Sequence, residues 1–283
     1  MMILDSDPVT QAVFYPRPEP PNYVSKGIAT LTSSEGVEIA GYLHESKASH
    51  VLLILFHGNG ELAADYDAIV SMYLDCGISC WVVDYRGYGR STGTPTFSTM
   101  LRDAEAILAD VPRIGAAINR NFSQIIVLGR SLGSASAIHL AAMGSSSVKG
   151  LVLDSAYADG LALIARLDGP NIQKENIFIF ESFENKWNEE QSLPNLIRHK
   201  IKRNQFEDNI DKIKRCQLPT LIIHGTDDSI IPLADAVFLF KACPSKDKQL
   251  VKVRGADHNN LFYVGFADYS AALKNYLVRC TTV

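Results

Sequence analysis

Residues 125–142 read IIVLGRSLGSASAIHLAA, and the stretch places one polar side chain where two regular elements meet. Ile125 to Leu128 make a short apolar run of the kind that forms a buried strand. From Ser134 onward, small residues with Ile138 and Leu140 follow a helical pattern. Gly129-Arg130-Ser131-Leu132-Gly133 lies between them and leaves no length for a loop. A side chain at so tight a strand-to-helix turn is thrown out past the strand end, on a backbone forced into a sparsely populated conformation. Glycine two places to either side removes Cβ atoms that would collide where strand and helix approach, and Ala135 and Ala137 relieve the same crowding. The result is a hydroxyl beside a helix N-terminus, whose unpaired N–H groups can face developing negative charge. An acyl-transfer nucleophile needs that arrangement. G-x-S-x-G arises by chance in roughly one chain of this length in ten. The strand before it and the helix after it are therefore what make Ser131 a candidate nucleophile.

Working outward, similar apolar runs recur, most of them followed by a helical pattern. VLLILF (51–56) precedes a helix over about 61–75. ISCWVVD (78–84) precedes one over about 96–111, with Phe97, Leu101, Ala104, Leu108 and Val111 on one face. GLVLD (150–154), TLIIHG (220–225) and LVKVRG (250–255) follow, then a final helix over about 261–278. Ahead of them, two alternating segments around Ser34-Glu35-Gly36 predict a β-hairpin. Apolar strands alternating with amphipathic helices predict an α/β fold, a mostly parallel sheet covered on both faces. Prolines at 16, 18, 20 and 21 predict an extended N-terminal arm over 1–22, with one domain over 23–283. No strand is evident from about 156 to 217, a length unsuited to a bare loop, so this segment reads as a small helical insertion.

The 283 residues are 47% hydrophobic and 20% charged, the profile of an ordinary soluble globular protein. A net charge of -4 gives no basic footprint for a nucleic-acid partner. Five scattered cysteines are too few for a disulfide framework and leave one over, which predicts reduced thiols and a cytoplasmic setting. No signal peptide, lipidation motif or apolar run of membrane-spanning length is seen, so a stable membrane anchor is not expected. No H-E-x-x-H or paired C-x-x-C suggests a metal, and no phosphate-binding loop suggests a nucleoside triphosphate.

A serine hydroxyl needs a neutral histidine to take its proton and a carboxylate to orient that histidine. Among seven histidines, His139 lies within a helix, His57 and His224 follow strands and precede glycine, and His44, His50 and His199 fall in polar stretches. His258, in RGADHNNL, follows the last strand, at the sheet end where α/β sites are built. For the acid, Asp227 and Asp228 in IIHGTDDSIIP and Asp154 at the end of GLVLD all follow strands, and spacing does not choose among them.

Taken together, FHGNG, DYRGYGRSTGTPT, GRSLG, IIHGTDDSIIP and GADHNNL resemble the α/β-hydrolase superfamily over nearly the whole chain. The resemblance is to its small serine-hydrolase branch, the α/β-hydrolase domain-containing proteins of the depalmitoylase and Bem-type groups. It implies an eight-stranded, mostly parallel sheet with helices on both faces and a small helical cap at 156–217. It also implies a Ser131, Asp228, His258 triad, with Ile231 where the family has Val, and Asp154 as the alternative acid. The oxyanion hole would use the backbone N–H groups of Leu132 and Asn59. No cofactor or metal is implied. Phe178, Phe180, Phe183 and Trp187 in the cap would either line an acyl pocket or form the cap's own core. The expected activity is hydrolysis of a small-molecule ester or thioester through an acyl-enzyme. The alternatives are a peptidase or amidase, a protein depalmitoylase, and a non-catalytic binding protein on the same fold. Where the family's dehalogenases and epoxide hydrolases need Asp, this chain has Ser131.

Overall fold

The computed structural model describes residues 5, 7–47, 49–160, 162–164, 166–167 and 208–281. The strands are β1 (Ile28–Ser34), β2 (Val37–His44), β3 (Val51–Phe56), β4 (Ser79–Val83), β5 (Gln124–Arg130), β6 (Val148–Asp154), β7 (Thr220–Gly225) and β8 (Lys248–Val253). They form one eight-stranded sheet in the order β1-β2-β4-β3-β5-β6-β7-β8. β2 pairs antiparallel with β1 and β4, and the remaining pairs are parallel. Every residue of β3, β4 and β7 is buried, which is why these strands read as unbroken apolar runs. β1 lies at an edge and mostly alternates buried with exposed. The β1–β2 turn places Glu35 and Gly36 at φ +49° and +82°, the left-handed pair that a two-residue hairpin requires.

The longer helices are α1 (Asp7–Val13), α2 (Phe97–Ala117), α3 (Ser134–Ala142), α4 (Leu233–Ala242) and α5 (Phe266–Thr281). Thr96 caps α2, its side chain accepting the Thr99 N–H at 3.1 Å. The helix runs on past Val111, through Pro112, to Ala117. Its buried face is rotated from the expected one. Met100, Asp103 and Ile107 are buried, whereas Leu101 and Leu108 are only partly covered. Asp103 is drawn inward by Arg86, which grips it through Nε at 2.8 Å and Nη2 at 2.7 Å, and by the Ser34 hydroxyl at 2.5 Å. The expected 61–75 helix is instead a 3₁₀ turn over Ala63–Ala68 and a helical turn over Ser71–Leu74.

The arm over 1–22 is not extended throughout, because Asp7–Val13 is helical. Pro8 sits in that helix's first turn, where a missing N–H costs nothing, and the run of prolines begins only at 16. Most of the expected insertion over 156–217 lies outside the described residues, and with it Phe178, Phe180, Phe183, Trp187 and His199.

The strand order reverses around β3. The chain passes from β3 to β4 on one side, crosses back to β5 on the other, and then runs outward to β8. With right-handed crossovers, such a reversal opens a crevice beyond the carboxyl ends of β3 and β5.

Candidate active site

Ser131 follows β5 directly and has φ +49°, a left-handed conformation that a non-glycine residue holds only when its surroundings enforce it. A 3₁₀ turn over Ser131–Gly133 leads into α3. A Cβ on Gly129 would overlap the Gly133 carbonyl, and one on Gly133 would overlap the Phe56 carbonyl at the end of β3. Both collisions are with backbone, so no side-chain rotation relieves them. The two glycines let the turn press against the neighbouring strand while the serine projects from it.

The turn after β7 buries Asp228 and leaves Asp227 exposed, its carboxylate accepting from the Thr226 hydroxyl at 2.7 Å. Asp228 Oδ1 accepts the N–H groups of Ile230 and Ile231 at 3.0 and 2.7 Å. Its Oδ2 faces His258 Nδ1 at 2.8 Å, and His258 Nε2 lies 2.9 Å from Ser131 Oγ. A carboxylate only accepts, so the bond to Asp228 keeps the proton of a neutral His258 on Nδ1. Nε2 is left with a lone pair facing the hydroxyl. Burial raises the Asp228 pKa, but the hydrogen bond and charge of His258 and the Ile231 N–H outweigh it and hold the carboxyl below its ordinary range. Ser131, Asp228 and His258 are all buried, at 8%, 6% and 5% exposed.

The other candidates lie elsewhere. Asp154, at the end of β6, accepts the Tyr269 hydroxyl at 3.0 Å, and no hydrogen bond or ion pair joins it to His258. His57 Nδ1 donates to the Gly58 carbonyl at 2.7 Å, and its ring packs against those of Tyr85 and Tyr88. His224 Nε2 donates to the Ile231 carbonyl at 2.7 Å, bracing the Asp228 turn. His139 pairs with Glu105 at 2.7 Å, and His44 lies 3.2 Å from Asp67.

Leu132 is the second residue of the turn, among the positions whose N–H groups lack a partner within a helix. Asn59 lies in the loop after β3. Both line a cavity of about 350 Å³ together with Ser131 and His258, and Leu163, Leu167 and Ile230 supply apolar wall.

Two contributors escape a reading of the sequence alone. Arg130, the variable residue before the serine, is ion-paired to Glu61, and both line this cavity. Val13 and Tyr15 of the N-terminal arm line it as well. The only hint of the first pair is its place inside GRSLG and just after FHGNG, and nothing local announces the second. Among the described residues no group of three or more His, Cys, Asp or Glu could hold a metal ion, and no helix is long and apolar enough to cross a membrane.

Comparison with known proteins gives concordant matches. Residues 47–174 match the family described as serine aminopeptidase, S33. The chain is 30% identical to alpha/beta hydrolase domain-containing protein 17B of Homo sapiens over 251 residues, 87% of this chain and 73% of that protein. It is 28% identical to the protein of the same name from Xenopus laevis over 232 residues, 80% of this chain and 66% of that one. The fold superposes on an esterase of Pyrococcus furiosus with a TM-score of 0.69 at 17% identity, covering 93% of this chain and 98% of that one. It also superposes on Est1E of Butyrivibrio proteoclasticus, solved with bound ferulic acid, with a TM-score of 0.68 at 22% identity, covering 90% and 100%.

Proposed function

The chain belongs to the α/β-hydrolase family, and on that footing we propose that it is a serine hydrolase cleaving carboxylic ester or thioester bonds through an acyl-enzyme. The observation that carries this reading is the unbroken relay from Ser131 Oγ to His258 Nε2 at 2.9 Å and from His258 Nδ1 to Asp228 at 2.8 Å.

In this reading Ser131 gives its proton to His258 as it attacks the acyl carbonyl, and Asp228 holds and stabilises the imidazolium that forms. The carbonyl oxygen, now negative, is received by the backbone N–H groups of Leu132 and Asn59. Loss of one such donor costs about 2.7–4 kcal/mol of transition-state stabilisation. His258 then protonates the leaving alcohol or thiol, and water attacks the acyl-enzyme by the same steps in reverse. The cavity of about 350 Å³ with its leucine and isoleucine wall suits a modest acyl group, with carboxylesterase or thioesterase chemistry in a cytoplasmic setting.

The test is treatment with a fluorophosphonate probe, followed by intact mass and peptide mapping. The expected result is one adduct, on Ser131, absent from Ser131→Ala, with kcat in that variant reduced at least about 10³-fold. Folded protein that takes no adduct would replace this reading with that of a binding protein on the same fold. Once labelling is seen, a series of esters, thioesters and aminoacyl amides of increasing length assigns the bond and the chain length.

A further inference from the structure

We propose that the N-terminal arm, residues 13–17, is a positioning element of the active site, which sets the oxyanion loop by gripping the side chain of Asn59. The inference rests on Ser131 being the nucleophile and Asn59 N–H an oxyanion donor.

The loop after β3 is suspended from the arm. Asn59 Oδ1 accepts the Tyr15 N–H at 3.0 Å and the Tyr88 hydroxyl at 2.6 Å, so both lone pairs of that oxygen are engaged. Asn59 Nδ2 donates to the Val13 carbonyl. One residue on, the Gly60 carbonyl accepts Arg17 Nε at 2.6 Å, and the Arg17 guanidinium is also ion-paired with Asp65. The arm thus holds the loop by the amide of one residue and the carbonyl of the next.

The arm is itself anchored. Val13 and Phe14 are buried, and the Phe14 ring meets Phe97 of α2 edge-on at 5.5 Å. Further along, the Arg17 carbonyl accepts the Gly89 N–H at 2.9 Å. Pro16, Pro18 and Pro20 restrict the backbone between and beyond these anchors, which lowers the entropy lost in holding one conformation. Tyr88 ties the two parts together, its oxygen receiving the Tyr15 N–H at 2.9 Å while its proton goes to Asn59.

The consequence for chemistry is geometric. The Asn59 amide is two bonds from Cα, so holding it restricts where Cα and the peptide N–H of the same residue can move. An oxyanion donor works only if it is aimed before charge develops. Val13 and Tyr15 also form part of the cavity wall, so the segment that aims the donor touches the substrate space as well.

The experiment measures the rate of fluorophosphonate acylation of Ser131, together with kcat and KM for a chromogenic ester, in Asn59→Ala, Tyr88→Phe and Arg17→Met. Rates are normalised to the folded fraction. Asn59→Ala misaims a donor without deleting it and is expected to slow acylation and lower kcat about 10–100-fold. Tyr88→Phe loses both hydrogen bonds of its hydroxyl, the one to Asn59 and the one from the Tyr15 N–H, and is expected to lose roughly 3–10-fold. Arg17→Met, whose parent side chain is 40% exposed and so safe for the fold, should shift the rates in the same direction. KM should stay within about twofold, because the donor acts on the transition state. Wild-type acylation rates in all three variants, or losses that vanish on normalisation, would overturn the proposal. A wild-type protein that is not acylated at Ser131 would instead overturn the reading beneath it.

Discussion

Arg130 and Glu61 are ion-paired in the wall of the Ser131 cavity, and the same guanidinium donates through Nη2 to the His258 carbonyl at 2.9 Å. Glu61 in turn accepts the Gly58 N–H and the Tyr66 hydroxyl, each at 2.7 Å. One pair therefore ties together the loops after β3, β5 and β8, which carry Asn59, Ser131 and His258. Burial works against the charge on Arg130, but Glu61 and Asp154 outweigh it and hold its pKa above the ordinary value. Arg130→Met leaves Glu61 without its counter-charge. Because the Glu61 side chain keeps 26% exposure, the expected cost is about 1–3 kcal/mol, below that of a fully buried pair. Thermal unfolding should fall by roughly 3–10 °C, and Glu61→Gln in the same chain should recover part of the loss. An unchanged midpoint in the single variant would contradict this account.

The elbow glycines make a sharper stability prediction. Alanine at 133 drives its methyl into the carbonyls of Phe56 and His57, and neither strand end can retreat without breaking the sheet. The expected cost is about 3 kcal/mol or more, read from the urea midpoint. Gly144 is the control. It has φ +74° but nothing within 4 Å of a would-be Cβ, so alanine there meets only backbone strain, about 1–2 kcal/mol. Equal losses at the two positions would mean that close approach is not what selects glycine in the elbow.

Elements set by burial alone were legible in the sequence. VLLILF and TLIIHG coincide with β3 and β7 because interior parallel strands are buried on both faces. The face of α2 was misread because a buried Asp103 gives no apolar signal, and its partner Arg86 lies in another segment. The single 61–75 helix gave way to two short turns. Asp65 and Asp67 there bond to Leu62 N–H and to Tyr23, Ser25 and Lys26, contacts that periodicity does not register. In the site, Ser131 announced itself through local geometry. The pairing of His258 with Asp228 and Ser131 did not, because those contacts join residues 30 and 127 apart in the chain.

Thiol accessibility follows directly from burial. All five cysteines are free; four are buried and Cys76 is half-buried. The Cys243 thiol is held low by its hydrogen bond with Cys216, but at 1% exposure it is out of reach of a reagent. Ellman's reagent should therefore titrate one thiol rapidly in the native protein and all five in guanidinium. Fast loss of a second thiol would show that the Cys216–Cys243 region opens in the native state.

Acid should weaken the fold in two stages. Burial lowers the pKa of His44 and of His139 from 6.5, against the pull of Asp67 and Glu105. The unfolded chain then binds more protons, so their contribution is complete above pH 6.5 and is lost as the pH falls below it. The carboxyls of Asp67, Asp110 and Asp228 are depressed below 3.8 by hydrogen bonds that overcome burial. Their contribution is present above pH 3.8 and is lost as the pH falls through their folded values. Urea midpoints should decline gently below pH 6.5 and again, more steeply, below 3.8. His44→Gln should reduce the first decline and leave the second, and an unaltered first decline would remove His44 from it.

The two rival acids are separable by one substitution each. Asp228→Asn puts an amide N–H or a weaker acceptor opposite His258 Nδ1, which frees the imidazole to carry its proton on Nε2. That tautomer cannot take the proton of Ser131, and kcat is expected to fall roughly 10⁴-fold. Asp154→Asn should behave otherwise. Its Oδ2 can still accept the Tyr269 hydroxyl as an amide oxygen, and its Oδ1 is buried without a hydrogen-bond partner. Neutralising that group withdraws part of the negative charge facing Arg130 but leaves the relay to Ser131 untouched, so kcat should stay within about tenfold of wild type. Steady-state kinetics on the two variants, with circular dichroism to establish folding, decide the matter. Retained activity in Asp228→Asn together with its loss in Asp154→Asn would move the acid to the end of β6.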